Sequence, residues 1–362
     1  MTNIPEVLFV GGFLGAGKTT AIRSLARILA GKGLKAAAIT NDQATGLVDT
    51  VFLSGHGIQA EEVAGSCFCC NFNGLADAIS HSIATAAPDV ILAEPVGSCT
   101  DIVATVIRPM RALMKDKVHV LAYSVLVEPD RWTEIADSGT PWSIKYLFDK
   151  QLQEADFIVI TKVDTLQGER TKEILEEVGR SYPESNALGI SSKEGVGMEE
   201  WLNLVRATPP GERWLKEIDY QSYADAEAEM GWLNGMASVT LAEPVDGKMI
   251  GGRLTEMLAK GIADRDGRIG HLKLLVVGQS GSVKAGVTQI GEKPVLDGLF
   301  TGPVSHLEVT INIRATLSPG ELSAVVNDSV TQFEESYKAE VDISAINTFR
   351  PGAPNPTHRY SA

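Results

Sequence analysis

"GGFLGAGKTT", Gly11 to Thr20, decides how this chain folds. Gly12, Gly17, Lys18 and Thr19 match G-x-x-x-x-G-K-[ST] without a gap. The run before it, "EVLFV" (6–10), is short and apolar and reads as a buried strand. After it, Ile22, Leu25 and Leu29 share one face of a helix that ends near Gly31. A loop between strand and helix is the setting a phosphate-binding P-loop requires. Its glycines let the backbone N–H groups of Gly12, Gly15, Ala16 and Gly17 turn towards phosphate oxygens, and the helix start adds its dipole. Lys18 reaches the outer phosphates, the Thr19 hydroxyl can bind Mg²⁺, and Thr20 continues the cradle. The alternative is a Gly-rich turn with no ligand; the complete pattern in its proper context outweighs it.

Strand and helix then alternate. "KAAAIT" (35–40), "DVILAE" (89–94), "HVLAYSVLV" (119–127) and "DFIVIT" (156–161) read as strands. Residues 73–86 read as a helix with Leu75, Ile79 and Ile83 on one face. The expectation is an α/β domain, a mostly parallel sheet with helices on both faces. Ligands in such folds bind beyond the carboxyl ends of the strands, where the remaining motifs fall. "TKVD" follows one strand, with Thr161, Lys162 and Asp164. The Asp164 carboxylate suits the N1–H and 2-amino donors of guanine, which adenine lacks, and the Lys162 stem can lie along a purine. "ISSKEG" (190–195), with Ser192 and Lys193, is placed to offer N–H groups to the guanine carbonyl. "TNDQATGLVD" (40–49) offers Asp42 and Asp49 as a switch loop near Mg²⁺, or simply as turn caps. "LAEPVG", read as the end of the third strand, offers Glu94 and Gly97 as a second switch that orients water. Lys18, Glu94 and Asp42 are therefore the candidate catalytic residues.

Composition narrows the partners. The chain has 362 residues, enough for two domains, and a net charge of −14. An acidic chain without a basic stripe is a poor nucleic-acid binder and a poor partner for anionic lipid. No stretch resembles a secretory leader or a membrane span, so a cytoplasmic protein with reduced thiols is expected.

Three of the four cysteines lie in "GSCFCC", and Cys99 in "AEPVGSCTD". Neighbouring cysteines are badly placed for ordinary disulfides with one another. Cys67, Cys69 and Cys70 can cap one face of Zn²⁺, Co²⁺ or Cu⁺. A fourth ligand is left open between Cys99, a carboxylate, water and a partner residue. Packing in the core is the other reading, since free cysteine is often buried. His56, in "SGHG", is a weak additional ligand candidate.

Taken in order, "GGFLGAGKTT", "ND…GLVD", "CFCC", "AEPVG" and "TKVD" resemble the CobW branch of P-loop GTPases, relatives of the urease and hydrogenase nickel-insertion GTPases. The likeness covers residues 6 to about 205. It implies GTP and Mg²⁺ as cofactors, Zn²⁺ or Co²⁺ on Cys67, Cys69 and Cys70, a thiol loop linked to the switches, and a client metalloenzyme or cofactor-dependent enzyme as partner. Departures are visible. Thr161 replaces the usual Asn, "EPVGSC" carries Pro95 and an extra cysteine, the His-rich tract is absent, and the C-terminal region matches no common version.

"ATPPGERW" (207–214) marks a boundary. The expected division is a GTPase domain over 1–207, a linker over 208–235, an α+β domain over 236–347 and a disordered Pro-rich tail over 348–362. The second domain reads β-α-β-β-β-α-β, close to a ferredoxin-like split βαβ with one added strand. Ser318, Pro319 and Glu321 spell a capping box at its last helix. The functional expectation is a GTP-hydrolysing metallochaperone. Its rivals are a GTPase chaperone for a corrinoid or other cofactor enzyme, a P-loop small-molecule kinase and a non-enzymatic metal-binding regulator. A homodimer is left open.

Overall fold

Gly12 closes the first strand with a φ of 130°, where a Cβ would come within 2.4 Å of the Leu126 carbonyl oxygen. Only glycine lets the backbone turn there into the phosphate loop. The computed structural model describes residues 4–41, 48–210 and 213–360. In chain order the first elements are β1 (Glu6–Gly12), α1 (Lys18–Gly31), β2 (Ala36–Asn41), α2 (Val48–Gly55), β3 (Gln59–Val63), α3 (Phe72–Ala86) and β4 (Val90–Glu94). A π-helical turn, Val103–Ile107, leads into α4 (Arg108–Leu113), followed by β5 (His119–Val120) and β6 (Ser124–Val127). Then come α5 (Pro129–Ala136), α6 (Trp142–Gln153), β7 (Phe157–Ile160), α7 (Gly168–Ser181), β8 (Asn186–Gly189) and α8 (Met198–Ala207). The strands form one parallel sheet in the order β3-β2-β4-β1-β6-β7-β8, with β5 also on β1. Leu8 and Val10 of β1 pack in one cluster with Ile22, Leu25 and Leu29 of α1 and Trp201 and Leu202 of α8. The α/β expectation holds.

Two details differ from the sequence reading. The run 119–127 is two strands, because the register on β1 slips by one residue between Val7↔Val120 and Val10↔Ser124. The N–H of Tyr123 in that break is taken by the Asp156 carboxylate at 2.8 Å. The segment ending at Glu94 is the fourth strand rather than the third, because β3 precedes it. β3 is an edge strand, "QAEEV", too polar to show as an apolar run.

The chain divides into two compact units. The first holds the described residues of Met1–Gln43, Leu53–Ala226 and Ala353–Ala362; the second holds those of Ala44–Phe52 and Glu227–Gly352. Next in the chain is α9 (Tyr220–Ala228). The second unit contains β9 (Gly231–Val245), α10 (Gly247–Ala263), β10 (Ile269–Gly278), β11 (Gly281–Val287), β12 (Val295–Phe300), β13 (Val304–Ala315), α11 (Pro319–Tyr337) and β14 (Ala339–Phe349). Its sheet is antiparallel, ordered β12-β11-β10-β13-β9-β14. Without the hairpin β11–β12, the remaining four strands have the split βαβ order. β12, "VLDGLF", is the strand the sequence hides: it lies at an edge and Gly298 sits at φ 135°. Ile250, Leu254 and Leu258 of α10 and Leu322, Val325 and Phe333 of α11 cover this sheet. The capping box at Ser318 and Glu321 forms as expected. No helix among the described residues is long and apolar enough to cross a membrane.

The Pro-rich tail differs from its expected disorder. Residues 355–360 hydrogen-bond to the first unit through Cys69, Cys70, Asp101, Ala104, Arg108 and Leu215.

Candidate functional site

At the head of α1, Gly15 and Gly17 adopt φ of 84° and 87°. These left-handed conformations bend the chain so that α1 begins at Lys18. The turn is closed by Ala16 N–H donating to the Phe13 carbonyl at 3.1 Å. Thr20 follows, half-buried, in the first turn of α1. The Lys18 ammonium donates to the Gly12 carbonyl at 2.9 Å and lies 3.9 Å from a Glu94 carboxylate oxygen. The Thr19 hydroxyl donates to the same carboxylate at 3.0 Å. Glu94 ends β4 beside the loop because β4 pairs with β1. Thr19 and Glu94 together present hard oxygen donors of the kind Mg²⁺ prefers. Gly97 lies against the same loop: a Cβ there would sit 3.1 Å from both the Leu14 nitrogen and the Lys18 ammonium.

On the far side of the loop, Thr161 is buried and its hydroxyl donates to the Val127 carbonyl at 3.2 Å. Lys162 takes a φ of 54° and pairs with Glu128 at 3.3 Å. Asp164 is exposed in the turn Val163–Thr165. Val163 N–H donates to the Ile190 carbonyl, which brings "TKVD" against "SSKEG". Ser191 organises that second loop, accepting from Gly195 N–H at 2.8 Å and, through its hydroxyl, from Glu194 N–H at 3.0 Å. Ser192 is half-buried and Lys193 exposed beside Glu194. The residues read for phosphate thus end or follow β1 and β4, and those read for base follow β7 and β8, strands of one sheet.

The thiols occupy a third corner. Cys67, Cys69 and Cys99 are buried, with their sulfurs all within 4.8 Å of one another. Cys67 Sγ lies 2.9 Å from Cys69 Sγ, and Cys70 Sγ 3.8 Å from Cys69 Sγ. A zinc–sulfur bond of about 2.3 Å sets a tetrahedral sulfur–sulfur edge near 3.8 Å, so modest outward movement would seat an ion among them. The sulfurs polarise one another. Hydrogen bonding from Cys69, with help from Cys70 and Cys99, holds the Cys67 thiol well below its ordinary range. Donating to Cys67 pushes Cys69 well up, and the same partner pushes Cys70 up to about 11. A thiol whose neighbours favour its ionised form is a ready first ligand for a soft or borderline metal.

Sequence reasoning does not find what holds this corner. Asn41, the last residue of β2, donates through its amide to the carbonyls of Val63 and Ser66 at 2.7 and 2.8 Å. Its amide oxygen accepts from Phe68 N–H at 2.7 Å. Phe68 in turn meets Phe9 of β1 edge-on, with ring centroids 6.5 Å apart. Gln151 donates to the carbonyls of Gly97 and Cys99, both at 2.9 Å. Glu154, fully buried, accepts from the Thr100 hydroxyl and from Val103 N–H at 3.2 and 3.0 Å, and burial pushes its carboxyl up to about 8. An asparagine at a strand end is the only one of these with a signal in the sequence.

Asp42 lies outside the described residues. Asp49 belongs to the second unit, where the ammonium groups of Lys273 and Lys284 each lie 2.7 Å from its carboxylate. Burial alone would raise that carboxyl; the two lysines overcome it and hold it well below the usual range. His56 is exposed and sits 3.3 Å from Arg23.

No curated protein matches the chain. Solved structures similar to it include HypB, a hydrogenase maturation factor, from Archaeoglobus fulgidus, at 20% identity and TM-score 0.39, over 57% of this chain and 90% of that one. HypB from Helicobacter pylori in complex with nickel is 19% identical with TM-score 0.42, over 57% and 87%. Zn(II)-bound YjiA GTPase from E. coli is 18% identical with TM-score 0.36, over 90% and 99%. The family description CobW/HypB/UreG, nucleotide-binding domain, matches residues 6–188. That span begins at β1, carries the phosphate loop, the thiols and "TKVD", and ends in β8, so the chain belongs to the CobW/HypB/UreG family of P-loop GTPases.

Proposed function

We propose that this protein binds and hydrolyses GTP in the cytoplasm and couples its nucleotide state to the handling of a transition metal held by thiols. One observation carries the coupling: the five residues after Glu94 reach from the phosphate loop to the thiols. Glu94 touches Lys18 and Thr19, Gly97 packs on Lys18 and Leu14, and Cys99 lies beside Cys67 and Cys69. A change at the phosphate end of so short a segment is carried to the sulfur end, which is the physical requirement for linked binding.

In this reading Lys18 and the amides of Gly12, Gly15, Ala16, Gly17 and Thr20 hold phosphate. Thr19 and Glu94 hold Mg²⁺, which would neutralise charge on the phosphates when bound. Glu94 is also the carboxylate placed to orient water. Asp164 and Lys162, with Ser192 and Lys193 behind them, favour guanine. Zn²⁺ or Co²⁺ is the cargo and Cys67 the first thiolate it meets. The recipient is a metalloenzyme or a cofactor-dependent enzyme.

The test is Co²⁺ affinity of the reduced protein with and without a non-hydrolysable GTP analogue, alongside GTP turnover. Thiolate-bound Co²⁺ with an affinity that changes with nucleotide is expected. Lys18→Ala should cut turnover by about a hundredfold or more and remove the nucleotide effect. Metal affinity that ignores nucleotide would overturn the coupling, and equal use of ATP would favour the kinase reading.

A further inference from the structure

The thiol corner has a cover, and the cover sorts the four cysteines into two kinds. Residues 355–360 run over the loop that carries Cys67, Cys69 and Cys70. Asn355 N–H donates to Cys70 Sγ at 3.1 Å. Thr357 N–H donates to the Cys69 carbonyl at 2.8 Å and its hydroxyl to the Cys70 carbonyl at 3.0 Å. His358 rests edge-on against Phe72, with ring centroids 5.0 Å apart. The same segment then crosses to the other wall. Arg359 donates to the Asp101 carboxylate at 2.8 Å and to the Leu215 carbonyl at 2.7 Å, and Tyr360 N–H donates to the Ala104 carbonyl at 2.8 Å. One wall therefore carries "CFCC" and the other carries Cys99, two residues before Asp101.

Cys67, Cys69 and Cys99 lie beneath this span, each at most 4% exposed. Cys70 is only half-buried and its sulfur already accepts the Asn355 N–H. Cys70 Sγ touches Cys69 Sγ at 3.8 Å but also accepts from the tail, whereas Cys67, Cys69 and Cys99 are the buried set whose sulfurs all lie within 4.8 Å of one another.

We infer that the metal-holding set is Cys67, Cys69 and Cys99, and that the C-terminal segment Asn355–Tyr360 is a strap that closes it, with Cys70 outside as the thiol that passes metal in and out when the strap lifts. The inference rests on the metal-handling reading above and changes its ligand set. Each of the three ligates as a thiolate, and any thiol proton still present passes to solvent as the ion binds. Three thiolates on a divalent ion leave one tetrahedral position open, the arrangement a site needs if it must exchange its metal. The chemistry selects a borderline divalent ion such as Zn²⁺ or Co²⁺.

The test uses the full chain, reduced, with Co²⁺ added alone and followed by its thiolate charge-transfer absorption. Cys67→Ser, Cys69→Ser and Cys99→Ser should each weaken binding by about tenfold or more, on the scale by which metal sites respond to lost support. Cys70→Ser should keep the equilibrium band and slow loading. Arg359→Ala and Thr357→Ala should keep the band and speed transfer to a chelator several-fold. If Cys67→Ser and Cys69→Ser bind as wild type does, the metal reading itself fails. If they lose metal while Cys99→Ser keeps it and Cys70→Ser does not, only the present ligand set fails. Unchanged exchange rates in both tail variants would overturn the strap. Thermal melts of the metal-free variants separate misfolding from ligand loss, with Cys99→Ala replacing a serine variant that does not fold. Alkylation of wild type gives a readout without any substitution: Cys70 should be labelled equally with and without Zn²⁺, and protection of Cys70 by Zn²⁺ would overturn its place outside the site.

Discussion

Asn41 commits its whole amide to one loop. Both donors and the acceptor go to backbone groups between Val63 and Phe68, so the side chain does for "GSCFCC" what a strand partner would otherwise do. Asn41→Ala leaves those backbone groups without their partner in a buried place, at a cost of about 2–3 kcal/mol. A lower melting temperature together with weakened Co²⁺ binding is expected; a melt within error of wild type would count against this account of the loop. Glu154 acts at the same scale on the Cys99 side. Its carboxyl ordinarily titrates at 4.5 and burial raises it to about 8, with Asp101 adding to the rise and the donors from Val103 and Thr100 opposing it. The folded state therefore keeps a proton that the unfolded chain releases. This contribution to stability is fully present below the unfolded value and falls as pH rises through the folded one, by about 1.4 kcal/mol per pH unit across that window. Denaturant melts between pH 5 and pH 9 should show that decline in wild type and a flatter profile in Glu154→Gln.

The elements that matter most are short turns at strand ends. "EPVGSC" is one of them, and Gly97 is where it touches the phosphate loop. Gly97→Ala places a methyl 2.7 Å from a Leu14 methyl and 3.1 Å from the Lys18 ammonium. Overpacking of this sort costs about 1–3 kcal/mol, and here it pushes the turn away from the loop. GTP affinity is expected to fall at least tenfold while the second unit melts unchanged; normal nucleotide binding would show that the turn is not held by this contact. The phosphate loop is legible in the sequence because its chemistry needs spaced glycines, a lysine and a threonine within one short stretch. The meeting of Cys99 with Cys67 and Cys69 is only an open option there, since it depends on β4 lying beside β1 and β2. β3 and β12 escape for another reason: edge strands bury too little to need an apolar run. The tail misleads because its prolines suggest disorder, while its hydrogen bonds go to backbone atoms that no composition reveals.

For the molecule as a whole, the segment that follows β2 is the feature that sequence order conceals most. Val48 to Phe52 pack with the second unit, where Val48 N–H donates to the Asn312 side chain at 3.1 Å and Asp49 sits between Lys273 and Lys284. Asp49→Asn leaves two lysines facing each other in a largely buried place, and breaking such a cluster costs about 3 kcal/mol. The native carboxyl is held low, so its stabilisation is present above the ordinary carboxylate range and is lost as pH falls through the depressed value. Acid melts should show wild type losing its advantage over Asp49→Asn at low pH; an advantage that persists undiminished there would exclude the ion cluster as its source. The division of the chain has a practical outcome too. Among the described residues, the polypeptide passes from one unit to the other between residues 41 and 48, after 52, after 226 and after 352. Cleavage near residue 210 should therefore yield two fragments that copurify under native conditions, each holding a strip of sequence whose partners belong to the other. A chain truncated after residue 207 would lack both the tail and the sheet on which Val48 to Phe52 rest, and would be a poor stand-in for the intact molecule.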